Sequence, residues 1–150
     1  MQERFETFTV LINRISRNIR KIKNCEMAEY NLRSAHISCL YYLYISNKLT
    51  ATELCERCEE DKATISRALD YLEKNEYLYC ETNTAKRYKS PLVLTEKGIL
   101  VSKQIVNKVN RAFEEIDLSA ELTDEDRNIF YRCLSTISHN LDLAAKYYDN

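Results

Sequence analysis

The stretch 50-TATELCERCEEDKATISRALDYLEK-74 contains two short amphipathic patterns with helical spacing, separated by a few polar residues. Thr50 precedes Glu53 by three residues, which is the spacing of a capping box at the start of a helix. Asp61 lies in the polar break and is a suitable N-cap for the second helix. The apolar stripe of that second helix consists of Ile65, Leu69 and Leu72. The stretch therefore predicts two short helices joined by a tight turn.

Two short runs that follow this stretch have the character of β-strands. Tyr77–Glu81 is rich in aromatic residues and alternates in polarity, and Leu92–Leu94 is a short apolar run. Pro91 suits the start of the second strand, because its nitrogen cannot donate a ladder hydrogen bond. The segment between the strands carries a basic cluster, which is Lys86, Arg87 and Lys89. Two helices followed by a hairpin with a basic tip predict a winged helix-turn-helix.

Further helices are predicted on both sides of this central region. The first has an apolar stripe of Phe5, Phe8, Ile12, Ile15, Ile19 and Ile22. A second runs from Ser34 to Tyr44, and Asn47 and Lys48 end it. A long helix begins after Thr95, and another begins at the N-cap Thr123. Their stripes are Val101, Ile105, Val109, Phe113 and Ile116, and then Phe130, Leu134, Ile137, Leu141 and Ala145. We therefore predict a mainly α fold with a small β-wing.

Composition narrows the class of protein. A chain of 150 residues with 45% hydrophobic content is sufficient for one domain with its own core. One glycine and one proline favour long helices over a fold with many turns. No apolar segment approaches the ~20 residues that span a bilayer, and no signal-like pattern opens the chain, so we expect a cytoplasmic protein. A net charge of −1 means that any nucleic-acid contact needs a local positive face.

The six cysteines are dispersed through helical patterns, at Cys25, Cys39, Cys55, Cys58, Cys80 and Cys133. A reducing compartment keeps such cysteines as thiols, so no structural disulfide is predicted. Cys55 and Cys58 have the spacing of half a zinc site or of a redox pair, yet no second Cys or His pair follows. Small apolar packing is the favoured interpretation of this motif. His36 and His139 lie in different predicted helices, so we predict no metal or cofactor site.

Three short motifs carry a resemblance to a known family. They are 49-LTATELCER-57, 64-TISRALDYLEK-74 and 94-LTEKG-98. In order and separation they resemble the Leu-Thr-x-x-Glu-Leu-Ala-Glu, Thr-Val-Thr-Arg…Leu-Glu-Lys and Leu-Thr-x-x-Gly motifs of the MarR family of bacterial transcriptional regulators. The resemblance covers almost the whole chain. It implies a single domain over residues 1–150, with a winged helix-turn-helix at about 34–95 and dimerisation helices at about 1–32 and 96–150.

Two positions depart from the family pattern. Lys86, Arg87 and Tyr88 stand where the family usually has Asp-Arg-Arg before the second strand of the wing. Arg87 is therefore the candidate for a minor-groove contact, and the usual acidic partner of the wing arginine is absent. Glu76 follows the recognition helix where the family commonly has glycine. We expect Asn75 to adopt the left-handed conformation that ends this helix.

The resemblance implies which side chains contact DNA. The front of the second helix in the quoted stretch presents Lys62, Thr64, Ser66 and Arg67, and the wing contributes Lys86, Arg87 and Lys89. Arg67 is the principal candidate for base recognition, because a guanidinium can donate two hydrogen bonds to guanine. The alternative interpretation of the helical residues is an ordinary solvated helix face.

The resemblance also implies function. We expect a homodimer that binds double-stranded DNA at a near-palindromic operator and acts as a repressor, released or modulated by a small molecule bound between the dimerisation helices and the winged region. The residues that contact the effector are not predicted. Alternatives are a winged-helix protein-docking module without DNA binding and a thiol-based redox-sensing regulator. An enzyme that uses Cys55 and Cys58 as a dithiol lacks the expected βαβ context, so we predict that the chain is not an enzyme.

Overall fold

A computed structural model describes residues 2–58, 60–81, 89–119 and 122–148, except for the side chains of residues 2–5, 113 and 115–119. The chain divides into two compact units, Met1–Ala112 and Phe113–Asn150. The described helices and strands are α1 (Gln2–Glu26), a 3-10 turn (Ala28–Tyr30), α2 (Ser34–Ser46), α3 (Ala51–Cys58), α4 (Lys62–Lys74), β1 (Leu78–Cys80), β2 (Leu92–Leu94), α5 (Glu96–Ser119) and α6 (Asp124–Tyr148). The predicted mainly α fold with a small β-wing is confirmed. The 3-10 turn was not predicted.

The core of the first unit lies among α2, α3 and α4. Leu40 of α2, Leu54 of α3 and Leu72 of α4 have no exposed surface. The predicted stripe of α4 is confirmed, because Ile65 and Leu69 are also buried. Burying one such side chain contributes about 1.5–3 kcal/mol. These contacts fix which face of α4 points toward solvent.

Local caps start α3 and α4 as the sequence predicts. The N–H of Thr50 donates to Glu53 Oε2 at 2.7 Å, and the N–H of Glu53 donates to Thr50 Oγ1 at 3.3 Å. This is the reciprocal capping box. At α4 the N–H of Thr64 donates to Asp61 Oδ1 at 2.8 Å. The backbone N–H groups that a helix start leaves without partners are therefore satisfied by side chains close in sequence.

The end of α4 differs from the prediction. Asn75 has a φ of −95°, whereas Glu76 has a φ of 60° and is the left-handed residue. The N–H of Tyr77 donates to the carbonyl of Leu72 at 2.9 Å, and the N–H of Glu76 donates to that of Glu73 at 3.0 Å. This double hydrogen bond requires the left-handed conformation one residue beyond the C-cap. The expectation for Asn75 was wrong, because Asn75 is itself the C-cap.

The wing is a two-stranded antiparallel sheet. Its register pairs Leu78 with Leu94 and Cys80 with Leu92, which confirms the two predicted strands. An unpredicted bridge joins Leu92 to Leu49, where the N–H of Leu92 donates to the Leu49 carbonyl at 2.9 Å. The wing is thereby attached to the segment that leads into α3.

Contacts around α2 and α5 complete the first unit. The His36 ring stacks on Tyr71 with centroids 4.4 Å apart, and its Nδ1 accepts from the N–H of Arg33 at 3.1 Å. These contacts give His36 a structural role. Lys108 of α5 donates to Glu29 Oε1 at 2.6 Å and to the carbonyl of Glu26 at 2.9 Å. The second half of α5 is therefore connected to the end of α1.

The second unit contains α6. Thr123 caps this helix, because its Oγ1 accepts from the N–H of Asp126 at 3.1 Å and its own N–H donates to Asp126 Oδ2 at 2.9 Å. None of the described residues of α6 is buried in a single chain. Phe130 is 49% exposed and Leu141 is 55% exposed. The apolar stripe predicted for this helix consequently faces solvent in one copy of the chain.

The structure also bears on a membrane role. Within the described ranges, none of the helices combines the length and the apolar character needed to cross a membrane.

Candidate nucleic-acid interface

The outer surface of α4 near its N-terminus carries four of the predicted DNA-contacting side chains. Lys62 and Arg67 are exposed, whereas Thr64 and Ser66 are half-buried. Ile65, between Thr64 and Ser66 in sequence, is buried in the core. The structure therefore brings these four side chains together on the first two turns of one helix.

Asp61, Thr64 and Arg67 form a continuous hydrogen-bonded chain over the first turns of α4. The hydroxyl of Thr64 donates to Asp61 Oδ2 at 2.7 Å, in addition to the capping bond from its N–H. Arg67 in turn donates from Nη2 to Thr64 Oγ1 at 3.1 Å. Thr64 thus uses its only hydroxyl proton within the protein and retains one lone pair for an outside partner. Its main effect is to position the Arg67 guanidinium.

The charge of Asp61 balances part of the charge of Arg67. The pKa of the Asp61 carboxyl is lowered, chiefly by the hydrogen bond from the Thr64 hydroxyl, then by the Thr64 N–H, with a smaller contribution from Arg67. The carboxylate is therefore ionised at neutral pH. It also lies at the positive end of the α4 dipole, which favours an anion there.

Asp70 extends this surface along α4 and was not among the residues predicted from the sequence. Lys62, Ser66 and Asp70 follow one another at steps of four and line a cavity of about 90 Å³, which is also lined by Cys55 of α3 and Leu92 of β2. A carboxylate at this position repels phosphate but can accept a hydrogen bond from the amino group of cytosine. The four-residue spacing was the signal in the sequence that could have identified Asp70.

An ion pair holds the base of the wing. Lys48, in the segment between α2 and α3, donates to Glu81 Oε1 at 2.6 Å, and Glu81 follows β1. The N–H of Glu81 also donates to the carbonyl of Pro91 at 2.9 Å. Both charged side chains are largely exposed, so the pair contributes at most about 1 kcal/mol. Its effect is to fix where the wing leaves the helical body.

The wing residues predicted to contact DNA are only partly described. Lys89 is exposed and lies two residues before Pro91. Lys86 and Arg87 lie outside the described residues, as does Tyr88. The minor-groove contact of Arg87 stays a prediction.

The cysteine motif lies in α3. Cys55 and Cys58 both pack at the edge of the core, in agreement with the apolar interpretation. The pKa of Cys58 is lowered chiefly by the thiol of Cys39 in α2, whereas burial raises it. Across the described ranges no group of three or more His, Cys, Asp or Glu residues is arranged to hold a metal ion.

These elements define a winged helix-turn-helix protein. Residues 30–87, which include α2, α3, α4 and β1, match the model of the MarR family. The chain is also 29% identical over 119 residues to an uncharacterized HTH-type transcriptional regulator of Bacillus subtilis (strain 168), YwoH, covering 79% of this chain and 85% of that protein.

Solved structures extend the similarity beyond the matched segment. A putative MarR family transcriptional regulator from Listeria monocytogenes, complexed with a 26mer DNA, is 26% identical and has a TM-score of 0.75, covering 87% of this chain and 85% of its own. Staphylococcus aureus MarR in complex with salicylate and kanamycin shares the fold, with a TM-score of 0.79 at 18% identity over 93% of this chain and 91% of its own. The resemblance inferred from the motifs is confirmed: the winged helix-turn-helix of this chain is similar to those of MarR family transcriptional regulators.

Proposed function

We propose that this protein is a sequence-specific transcriptional regulator that binds double-stranded DNA through α4. The observation that carries the proposal is the surface of α4, where Lys62 and Arg67 are exposed while the stripe of Ile65, Leu69 and Leu72 is buried. A helix presented in this way fits the major groove. The relative from Listeria monocytogenes that is complexed with a 26mer DNA supports DNA binding by this fold.

The roles of the proposed contacts follow from their chemistry. Arg67 donates two hydrogen bonds to one guanine, and Lys62 neutralises a phosphate. Lys86, Arg87 and Lys89 bring additional positive charge from the wing. A near-neutral chain then binds DNA through one local surface, because counterion release depends on the charges that meet phosphates.

Two copies of the chain form the binding unit in this proposal. The exposed apolar residues of α6 and of α1, among them Phe130, Leu141 and Ile15, are suited to burial by a second copy. A two-fold dimer places two recognition helices about 34 Å apart, which matches successive major grooves of a near-palindromic operator. Residues 34–95 then provide the DNA-binding part, and residues 1–32 and 96–150 provide the dimerisation helices.

The regulator acts as a repressor whose affinity for DNA is altered by a small molecule. The Staphylococcus aureus relative in complex with salicylate and kanamycin has the same fold, and this supports the binding of a small molecule in the proposal. A ligand achieves such an effect only if it binds the DNA-competent and DNA-incompetent conformations with different affinities.

The test begins with selection of bound duplexes from a random library at increasing salt concentrations. We expect enrichment of a near-palindromic sequence with half-sites one helical turn apart, and affinity that falls steeply with salt. A protein that selects no sequence would contradict the proposal and would favour the protein-docking alternative.

Two variants then distinguish base recognition from general charge. Arg67→Ala should weaken binding to the selected operator by about 1–3 kcal/mol and relax the preference at one base position. Lys103→Ala removes one exposed positive charge from α5 and serves as the matched control. Equal affinities of the two variants for the operator would remove the assignment of Arg67.

A further inference from the structure

The C-terminal end of α4 is hydrogen-bonded to the start of α5. Three consecutive carbonyl groups, at and after the C-cap of α4, accept hydrogen bonds from this part of the chain. Lys97 Nζ donates to the Asn75 carbonyl at 2.8 Å, and the Thr95 hydroxyl donates to the Glu76 carbonyl at 2.6 Å. The N–H of Thr95 donates to the Tyr77 carbonyl at 3.1 Å. We call these three hydrogen bonds the α4–α5 joint.

Thr95 contributes to both helices, because it also caps α5. Its Oγ1 accepts from the N–H of Gly98 at 3.0 Å, and its carbonyl accepts from the N–H of Ile99 at 2.8 Å. Gly98 allows the two segments to approach closely, because a Cβ at this position would overlap the Tyr77 carbonyl oxygen. The end of α4 and the start of α5 are therefore connected through backbone as well as side-chain contacts.

Lys97 supplies positive charge to the joint. Its ammonium bonds the C-cap carbonyl of α4, at the end of the helix where the dipole favours a cation. The same ammonium lies 4.4 Å from the centre of the buried Tyr77 ring, within the range of a cation–π contact. Lys97 is nevertheless exposed, so it can be replaced without opening the core.

The sequence motif around the joint does not specify this lysine. In 94-LTEKG-98, Leu94, Thr95 and Gly98 occupy the defined positions of Leu-Thr-x-x-Gly, whereas Lys97 occupies a variable one. The roles of Thr95 and Gly98, as a cap and as a site of close approach, account for their places in the motif. The contacts of Lys97 are a feature of this chain's own sequence.

We infer that Lys97 is a positioning residue for the recognition helix, and that through the joint it makes α4 and α5 move as one body. The inference rests on the proposed function, in which α5 is one of the dimerisation helices and α4 binds the major groove. The joint then fixes the separation of the two recognition helices of a dimer. Loss of Lys97 frees the C-terminal end of α4 to tilt relative to α5.

A fixed separation of the recognition helices makes binding sensitive to the spacing of the half-sites. One additional base pair between half-sites moves them apart by about 3.4 Å and rotates one of them by about 35° around the DNA axis. A dimer with a firm joint follows this change poorly, whereas a dimer with a loosened joint follows it more easily. Lys97 therefore controls the tolerance of spacing without contacting a base.

Hydrogen exchange of the free protein tests the joint without DNA. In Lys97→Met, which keeps an aliphatic side chain and loses the donor, we expect the amides of residues 75–80 to exchange about three- to tenfold faster. Lys97→Arg retains a cationic donor and should restore the protection. Lys103→Met removes the same charge from another exposed position of α5 and is the matched control. Unchanged exchange in Lys97→Met, or an equal increase in Lys103→Met, would overturn the inference.

Binding to operators of different spacing tests the positioning role. The duplexes carry the selected half-sites at the selected spacing, and with one base pair added or removed. We expect the wild type to lose affinity by about tenfold or more on the altered spacings, and Lys97→Met to lose at most about threefold. Lys97→Arg should behave as the wild type. An equal loss of affinity by Lys97→Met at every spacing, with a smaller salt slope, would show a phosphate contact instead and would overturn the positioning role.

The two experiments separate failure of this inference from failure of the proposed function. A wild-type protein that binds no duplex would contradict the proposed function, while hydrogen exchange would still decide whether Lys97 holds the end of α4. A wild type that selects its operator, with the same dependence on spacing as Lys97→Met, would leave the proposed function intact and overturn the inference.

Discussion

Arg67 donates a hydrogen bond of 3.1 Å to the Thr64 hydroxyl, and this contact connects the cap of α4 to the side chain proposed to recognise a base. Thr64 in turn depends on Asp61, which accepts both its N–H and its hydroxyl proton. A residue that starts the recognition helix therefore also sets the direction of its principal cation. Positioning of this kind reduces the side-chain entropy that Arg67 must lose on binding.

Asp61→Ala is predicted to weaken operator binding although Asp61 touches no base. Loss of the anchor releases Thr64 and Arg67, and we expect about a three- to tenfold loss of affinity, less than that caused by removing the guanidinium. The dependence of affinity on salt should stay unchanged, because no phosphate contact is lost. Lys62→Ala is the contrast, and it should reduce the salt slope by about 1. A salt slope that falls in Asp61→Ala would contradict the positioning role.

Glu76→Gly is predicted to stabilise the protein. Glu76 has a φ of 60°, a conformation that glycine adopts without steric cost. We expect the free energy of unfolding to rise by about 0.5–1 kcal/mol, measured from the midpoint of urea denaturation. Asn75→Gly is the matched control, since Asn75 has an ordinary φ and its Nδ2 donates to the Tyr71 carbonyl at 2.8 Å. That variant should be destabilised by about 1 kcal/mol, and the opposite ranking of the two would refute the assignment of the C-cap.

The N-caps of α3 and α4 and the C-terminal end of α4 show how far the sequence could predict the structure. The caps at Thr50 and Asp61 involve partners three residues away, so their spacing is visible in the sequence. The left-handed residue after α4 depends on which backbone position ends the helix. Asparagine adopts the left-handed conformation more often than glutamate, so the sequence favoured Asn75 over Glu76. A shift of one residue in the end of the helix moves the left-handed conformation from Asn75 to Glu76.

Contacts between segments that are distant in sequence could not be predicted from the sequence pattern. Leu49 pairs with Leu92 only because the segment before α3 and strand β2 pack against one core. No local spacing encodes this contact. The candidate interface was predictable on α4, where helical periodicity separates the buried face from the exposed one, but the anchoring of Arg67 by Thr64 required the geometry.

Gly98→Ala is predicted to be strongly destabilising. A Cβ at this position would lie 1.9 Å from the carbonyl oxygen of Tyr77, which is backbone and cannot move aside without displacing the start of β1. We expect the free energy of unfolding to fall by about 3 kcal/mol or more, together with weaker operator binding. Lys103→Ala on the same helix should change stability by less than about 0.5 kcal/mol. A near-neutral effect of Gly98→Ala in urea denaturation would mean that α5 and the wing can separate at little cost.

The capping carboxylates predict a loss of stability in acid. The pKa of Glu53 is lowered chiefly by the hydrogen bond from the Thr50 N–H, and that of Asp126 chiefly by the Thr123 hydroxyl. A folded-state pKa below the unfolded value contributes stability that is present above the unfolded pKa, near 4, and is lost as pH falls through the folded pKa. Urea midpoints should therefore drop below about pH 4. In Glu53→Gln this drop should be smaller, whereas Glu56→Gln, beyond the first turn of α3, should behave as the wild type.

Phe130→Asp on α6 is predicted to convert the protein to a monomer and to abolish operator binding. Phe130 is 49% exposed in a single chain, and a carboxylate there would be buried without a partner when two copies associate. Sedimentation equilibrium should give the mass of one chain, and binding to the palindromic operator should fall by at least a hundredfold, because one recognition helix alone loses the second half-site. Asp142→Ser alters an already polar position of the same helix and should stay dimeric. A Phe130→Asp protein that remains a dimer and still binds its operator would show that the proposed assembly does not use this stripe.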